Sequence, residues 1–467
     1  MIHRTLALET VQKIGERVVL KGWVNARRNM GKVAFVDLRD RSGIVQVVLV
    51  PSELDEASKA FLEGLRSEFV VEIEGIVQAR GNKQVNPNME TGTVEMLAKS
   101  VVILNSSETT PFEVDKDTRG VTEDSRLAYR YLDLRTERMQ KNIRRRSEVF
   151  QFMRQFLSKE MFTEIETPIL TKGTPEGARE FLVPSRVHEG KMYVLPQSPQ
   201  QFKQLLMVSG VERYFQFAKC FRDEDQRGDR QPEFTQLDME MSFVEREDVM
   251  DVIERLLVET VSVLYPEKRF QETPFPHITY REAMEKYATD RPDIRDDKND
   301  PNLLAFCWVV DFPFFEKTEE GDWTFTHNPF SAALPEYREA LMNKENVGGI
   351  LTSQYDVVLN GFEIGGGSIR NHRPDALYKV FEIMGFTGEE IEAQFGHILR
   401  AFSFGAPPHG GLALGMDRIM AILQNEPNIR EVIAFPKDGH ARDLMMDAPS
   451  VLPDKALRDV HIQIRKD

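Results

Sequence analysis

Cysteine is almost missing from this chain: Cys220 and Cys307 are the only two among 467 residues. Two thiols give no disulfide framework and no zinc-ligand spacing, and so few fit a reducing compartment. Long apolar runs are missing too. No stretch approaches the roughly 20 apolar residues of a membrane span. The start, MIHRTLALETVQK, lacks the apolar h-region of a secretory leader and the Arg/Ser bias of a transit peptide. A cytoplasmic location with no membrane partner is expected. Positive charge is in deficit: 60 Lys and Arg stand against 75 Asp and Glu, a formal net charge of −15. This excludes a protein coated in positive charge for nonspecific nucleic-acid binding, although a local basic face can still meet RNA. There is no Walker A loop, no strand-linked GxGxxG, no internal repeat and no low-complexity run.

What is present is ordinary globular composition, 41% hydrophobic and 29% charged, at a length that implies two or three domains. The segments Val18 to Val24, Val33 to Leu38, Ile44 to Val50, Phe69 to Val77 and Thr93 to Leu104 are rich in β-branched and aromatic residues, with Gly22, Gly31, Gly43, Gly75 and Gly92 punctuating or flanking them. A helix is expected over Glu53 to Leu65. Five strands with one helix between the third and fourth fit a small OB-type barrel over 1–105, and periodicity alone leaves other small barrels and sandwiches open. Residues 106–135 lack an apolar period and read as a linker. From 136 to 467 helices and strands mix irregularly. A long helix is expected over Thr136 to Glu160, strands over Lys191 to Leu195, Arg213 to Phe217 and Phe234 to Phe243, and an amphipathic helix over Asp248 to Leu264. The class is α+β, without the strict alternation of a parallel sheet.

Three segments of this second part carry chemistry. The first is the long helix followed by Phe162-Thr-Glu-Ile-Glu-Thr-Pro168, which alone marks only a strand end. The second runs Cys220-Phe-Arg222-Asp-Glu224-Asp, then Arg227, Arg230, Gln231 and Pro232-Glu-Phe-Thr-Gln-Leu-Asp238-Met-Glu240. Alone, it reads equally well as a solvated hairpin tip. The third is Gly411-Leu-Ala-Leu-Gly415-Met-Asp417-Arg418, ahead of an apolar helix. Glycines there admit a ligand close to the backbone, and an arginine beside a helix start can meet a phosphate.

Together and in this order, the three resemble the signature motifs of class II aminoacyl-tRNA synthetases, with Ala413 at an interior glycine position of the third. The runs TPILTKGTPEGAREFLVPSR, LPQSPQQFKQLLM, RQPEFTQLDME, NGFEIGGGSIR and PPHGGLALGMDR look like bacterial-type aspartyl-tRNA synthetases, and the resemblance covers nearly the whole chain. GWVNARRNMGKVAFVDLRDRSGIVQVVL looks like that family's anticodon-binding OB domain. One departure is large: Tyr287 to Asp300 runs almost directly into Phe306-Cys-Trp-Val-Val-Asp311, leaving no room near 290–305 for the domain that bacterial members usually insert.

The resemblance implies an OB barrel followed by an antiparallel sheet flanked by helices. It also implies a two-step reaction in which L-aspartate is activated by ATP and then loaded onto the 3′ end of tRNA-Asp. Positioning and electrostatics would supply the catalysis, with no nucleophilic side chain. On this reading Arg222 and Arg418 hold the phosphates, since a guanidinium fork matches phosphate oxygens. Asp223, Glu224, Gln231, Glu363, Gly415, Met416 and Asp417 complete the ATP site, with an aromatic face for adenine near Phe221 and Phe234. Asp356 and Glu363 resemble the Mg²⁺-binding acids, a hard cation taking carboxylates and phosphate oxygens together. Arg370 and Lys203 would bind the aspartate side chain, Arg370 through two parallel hydrogen bonds. Glu176, Gln200, Asp238 and Ser198 would surround its ammonium group. His327 resembles a further substrate contact, although many members carry a second histidine where this chain has Asn328. In the barrel, Arg28, Phe35, Gln46, Arg80 and Asn86 would contact anticodon bases, with Phe35 as a core residue the alternative. The partners implied are tRNA, aspartate, ATP and a second copy of the chain. An enzyme that also charges tRNA-Asn, decided by positions such as Met30 and Lys83, is the first alternative. A tRNA-independent amide ligase on the same fold is the second, and a non-catalytic RNA-binding relative the third. The complete OB domain and the three arginines 222, 370 and 418 argue against these last two.

Overall fold

Alternating apolar residues in five early segments require a sheet with one buried face, and the computed structural model closes that sheet into a barrel. The structure describes residues 3–31, 33–62, 64–173, 177–226 and 228–465. By its contacts the chain divides into Met1–Arg138 and Met139–Asp467.

In the first unit, β1 (Arg17–Met30), β2 (Val33–Arg39), β3 (Ile44–Leu49), β4 (Val70–Ala79) and β5 (Val94–Asn105) run in the order β1-β2-β3-β5-β4, with β4 pairing back onto β1. Val24, Val36, Leu38, Val45, Val47, Val71 and Ile73 fill the interior. Gly22 and Gly75 do not punctuate strands; they sit inside β1 and β4. A Cβ at Gly22 would lie 2.2 Å from the Arg39 carbonyl oxygen, and one at Gly75 would lie 2.3 Å from that of Leu97. Glycine is needed where the wall bends and backbones press together. The expected helix over 53–65 contracts to one turn, α1 (Glu56–Lys59). Asp55 caps it through the Ser58 amide, and the Ser58 hydroxyl accepts the Val101 amide at 2.7 Å, which ties the turn to the barrel wall. Segment 106–135 is not a bare tether. It holds α2 (Glu123–Ala128), α3 (Arg130–Asp133) and a small core of Phe112, Val114 and Leu132, and it groups with the barrel.

α4 (Glu137–Lys159) starts two residues before the second unit and runs on into it. The sheet of this unit comprises β6 (Thr163–Glu164), β7 (Arg213–Phe221), β8 (Glu233–Ser242), β9 (His277–Thr279), β10 (Phe306–Val310), β11 (Gln354–Leu359), β12 (Phe362–Ile369) and β13 (His409–Gly415), in the order β9-β10-β11-β12-β13-β8-β7-β6. Only the two outermost pairings are parallel. The strand before Pro168 is two residues long, and the short strand Met192–Val194 pairs with Leu182–Pro184 outside this sheet.

Period-two alternation divides the sheet into two faces. Leu237, Met239 and Met241 of β8, Tyr355, Val357 and Leu359 of β11, and Leu412 and Leu414 of β13 join one core with α4 and α6 (Arg246–Leu264). The intervening residues of the same strands face the other way. The stretch 288–302 crosses from α7 (Tyr280–Tyr287) to Leu303 as a braced loop, with the Gln271 side chain bonded to Ile294 O at 2.9 Å and to Asp296 N at 2.8 Å.

Candidate active site

The face of the sheet away from the apolar core carries polar and very small residues. In β8 these are Phe234, Gln236, Asp238 and Glu240. Opposite them across the β8–β13 register stand Gly415, Ala413 and Gly411. A Cβ at Gly411 would lie 2.0 Å from the Met239 carbonyl oxygen and 2.2 Å from Glu240 Oε2, so glycine is needed here both for the close strand approach and for the carboxylate. Gly366 and Ser368 of β12 stand in register with Ala413 and Gly411, and Arg370 follows directly after that strand. Above this face lies a cavity of about 420 Å³.

Four charges are buried at one end of it. Lys203, on α5 (Gln200–Val208), places Nζ 2.6 Å from Asp238 Oδ1 and 3.4 Å from Glu240 Oε2. Arg370 donates from Nε to Glu240 Oε1 at 2.8 Å and from Nη2 to Glu240 Oε2 at 3.0 Å. Its Nη1 donates to Ser368 Oγ at 2.8 Å, and Nη2 also reaches Gly411 O at 3.3 Å. The expectation that Arg370 offers a fork to a substrate is therefore corrected. The Nε/Nη2 edge is clamped by Glu240, and Nη1 is the part of the guanidinium left to face the cavity. Glu240 is the partner that sequence reasoning missed, and its signal was its place two residues from Asp238 on the same strand face.

The two acids differ in their surroundings. Burial opposes ionisation of Glu240, but the charges of Arg370 and Lys203 outweigh it and hold its pKa below the ordinary value. For Asp238 burial wins over the Lys203 charge and raises the pKa. Asp238 Oδ2 has no hydrogen-bond partner among the described residues. A buried carboxylate oxygen without a donor is costly unless a ligand supplies one, so a cation would complete this wall. Gln200 and Ser198 line the same end. Glu176 lies outside the described residues.

At the other end Arg222 lies over the Phe234 ring, 5.2 Å from its centroid, with Nε buried and unbonded. Phe234 lines the cavity. Glu224 pairs with Arg230 at 2.8 Å. Arg418 donates to the Glu363 carbonyl, and its Nη2 lies 3.2 Å from Asp229 Oδ2. Asp356 and Glu363 stand on paired strands across a register shift. Both carboxylates converge above Gly366, where a Cβ would lie 2.6 Å from Asp356 Oδ1 and 3.7 Å from Glu363 Oε1. Burial first, and the Glu363 charge second, push the Asp356 pKa well up. His327, an exposed residue that lines the cavity, stands against the Phe312 ring. Asn328, beside it, is turned to its own loop and accepts the Phe330 amide at 2.8 Å.

Some expected contacts are spent elsewhere. Gln231 binds the backbone of Lys437 with both ends of its amide, at 2.8 and 3.1 Å. Asp417 accepts the Thr235 amide at 3.0 Å and pairs with Arg146 at 2.6 Å, so its carboxylate braces the start of α8 (Met416–Leu423). The Met416 side chain belongs to the apolar core, and Asp223 is not in the cavity wall. Gln236 was overlooked. It lines the cavity and accepts the Cys220 thiol at 3.2 Å, which turns its amide nitrogen inward.

In the barrel, Arg28 makes a bidentate pair with Asp37 at 2.9 and 3.0 Å and reaches Gln46 at 3.3 Å. Gln46 donates to Glu95 at 2.9 Å, and Glu95 lies 3.7 Å from Arg80. Phe35 sits opposite Arg28 in register, while its neighbour Val36 points into the core. Phe35 is thus on the outer face, joining a polar track across four strands, and is not a core residue. Asn86 lies in the turn after Arg80 and caps it through the Asn88 amide.

Comparison with known proteins agrees with this geometry. The family model for tRNA synthetases class II (D, K and N) matches residues 122–439, and the model for an OB-fold nucleic acid binding domain matches 18–104. The aspartate–tRNA(Asp/Asn) ligase of Rubrobacter xylanophilus is 41% identical over 97% of this chain and 95% of that protein. The aspartate–tRNA ligase of Geobacillus kaustophilus is 40% identical over 97% of each. These alignments run over 575 and 577 positions against 467 residues here, so both relatives carry sequence with no counterpart in this chain. Among solved structures, asparaginyl-tRNA synthetase from Pyrococcus horikoshii complexed with asparaginyl-adenylate superposes with a TM-score of 0.74 at 22% identity, covering 93% of this chain and 98% of that one. Aspartyl-tRNA synthetase from Entamoeba histolytica gives 0.72 at 23% identity, covering 94% and 92%. These two likenesses speak to the fold. The family model spans most of the chain and the curated relatives span nearly all of it: the chain belongs to the class II tRNA synthetases, within the aspartate–tRNA ligase family.

Proposed function

We propose that this chain joins L-aspartate to the 3′ end of tRNA-Asp, using ATP and passing through an aspartyl-adenylate. The observation that carries the reading is the buried charge set. Asp238 Oδ2 lacks a donor, and an α-ammonium group supplies one. Arg370 Nη1 and Lys203 Nζ each keep a donor beyond their bonds to Ser368, Asp238 and Glu240. A side-chain carboxylate would take one hydrogen bond from each cation. Asparagine would set amide donors against these donors, and sites with unpaired buried polar groups discriminate by factors on the order of 10⁴.

In the first step an α-carboxylate oxygen bonds to the α-phosphorus of ATP while the bond to the leaving pyrophosphate breaks. Arg222, stacked on Phe234, would neutralise the α-phosphate and the attacking carboxylate. Arg418 would hold the departing phosphates. In the second step the terminal hydroxyl of the tRNA attacks the aminoacyl carbonyl, and AMP leaves. Asp356 and Glu363 fit a Mg²⁺ ion: two converging carboxylates, one with a strongly raised pKa, gain from a hard cation whose other ligands are phosphate oxygens and water. That ion would offset phosphate charge. The outer track of the barrel, with Arg28, Phe35, Gln46 and Arg80, would read the anticodon, and a cytoplasmic setting suits two buried cysteines that form no disulfide.

Aminoacylation of tRNA-Asp and tRNA-Asn transcripts, side by side, tests the reading. Charging of tRNA-Asp with aspartate is expected. Equal charging of tRNA-Asn would move the chain to the Asp/Asn type named for the Rubrobacter relative, and formation of free asparagine without any charging of tRNA would overturn the proposal. Glu240→Gln is expected to lower kcat/KM for aspartate in ATP–pyrophosphate exchange by about 10²-fold. Removing one partner of a buried pair costs roughly 3–5 kcal/mol, and about 1.4 kcal/mol is a factor of ten. The KM for ATP should hardly change, and a folded variant with parental aspartate kinetics would show that Arg370 needs no clamp. A homodimer is proposed through α4 and the sheet edge at β6, where Met161, Ile169 and Leu170 are exposed apolar residues. Sedimentation at micromolar concentration should give twice the chain mass of 53.7 kDa, and a stable, active monomer would rule it out.

A further inference from the structure

Behind the cation-seeking wall runs a buried hydrogen-bond chain that the reaction does not use directly. His409 is fully buried at the start of β13. Its Nδ1 lies 2.8 Å from Pro407 O, and its Nε2 lies 3.3 Å from Gln204 Nε2. Gln204 Oε1 in turn lies 3.2 Å from Gln200 Nε2. Gln204 is also fully buried, and Gln200 lines the cavity.

The direction of each bond follows from chemistry. A carbonyl oxygen can only accept, so His409 Nδ1 carries the hydrogen. Burial, against the opposing pull of Glu240, pushes the imidazole pKa down to about 4, with the Arg370 and His372 charges acting in the same sense. The ring is therefore neutral near pH 7 and Nε2 is a bare acceptor. Gln204 must then turn its nitrogen to His409 and its oxygen to Gln200. Gln200 must spend its nitrogen on Gln204, which leaves its oxygen to the cavity. Without this chain a glutamine amide has no reason to choose between its two ends.

We infer that His409 is a positioning residue which, through Gln204, fixes the Gln200 amide so that its carbonyl oxygen faces the substrate ammonium group. This rests on the aspartate reading and deepens it. On this inference the site meets a cation with two acceptors, Asp238 Oδ2 and Gln200 Oε1, and only the second depends on a relay whose far end, His409, lies outside the cavity lining.

The test separates the two nitrogens of the ring. An asparagine can replace Nδ1–H but not the Nε2 acceptor, whereas a glutamine oxygen reaches the Nε2 position. His409→Asn, which keeps the bond to Pro407, should raise the KM for aspartate in ATP–pyrophosphate exchange about tenfold, the worth of one buried hydrogen bond. The KM for ATP should hold and kcat should change less than KM. His409→Gln should recover most of the loss. In a Gln200→Ala background, His409→Asn should add no further loss. The relay is overturned if His409→Asn matches the parent, if both variants lose equally, if ATP and aspartate KM rise together, or if the Gln200→Ala background leaves the effect undiminished. Should the parent enzyme itself fail to exchange with aspartate, the functional reading fails and not the relay alone.

Discussion

Four buried charges, Lys203, Asp238, Glu240 and Arg370, must compensate one another before the site can do anything. A charge without a partner in such a place costs several kcal/mol, and pairing repays this only when the geometry is good and the remaining donors and acceptors are met. Here two cations stand against two carboxylates, each side chain at most 3% exposed. The set is neutral as a whole but uneven within. Glu240 is held from two sides, and Asp238 keeps one oxygen with no donor. A substrate that brings an ammonium group and a carboxylate would complete both halves, so its binding would replace what the fold leaves unmet.

The strands are shaped around this set. β8 presents Gln236, Asp238 and Glu240 on one face because Leu237, Met239 and Met241 must enter the core on the other. Side chains of ordinary size on the facing strand would fill the space those groups need. Gly411 leaves room for Glu240, and Gly366 leaves room for Asp356 and Glu363. Gly411 and Gly366 thus leave space for buried carboxylates, and Arg222 and Arg418 line the same cavity.

Much of this was legible from residue pattern, and the misses have physical reasons. The barrel strands and the helix over 137–159 followed from alternation and helical period. The helix expected over 53–65 failed because Asp55 and Ser58 tie a single turn to the barrel wall. Of the residues expected at the site, most line one cavity, from Ser198 to Arg418. Gln231, Asp417 and Met416 lie in the right motifs, but Gln231 and Asp417 are committed to backbone and ion-pair partners and Met416 to the core. No motif states which neighbour a side chain will choose. Glu240 and the chain His409–Gln204–Gln200 escaped for the same reason, although strand parity pointed to Glu240 on the face of Asp238.

The most direct measurement is ATP–pyrophosphate exchange with aspartate and with asparagine for the parent, Arg370→Leu and Arg370→Lys, with thermal melts to confirm folding. If the buried set selects the carboxylate, Arg370→Leu lowers kcat/KM for aspartate by about 10²–10³-fold and lowers that for asparagine far less, so the preference collapses. Arg370→Lys recovers only part of it, because a point charge cannot hold Glu240 and Ser368 together. Aspartate kinetics within about threefold of the parent in a folded Arg370→Leu protein, or equal losses for both amino acids, would contradict the account.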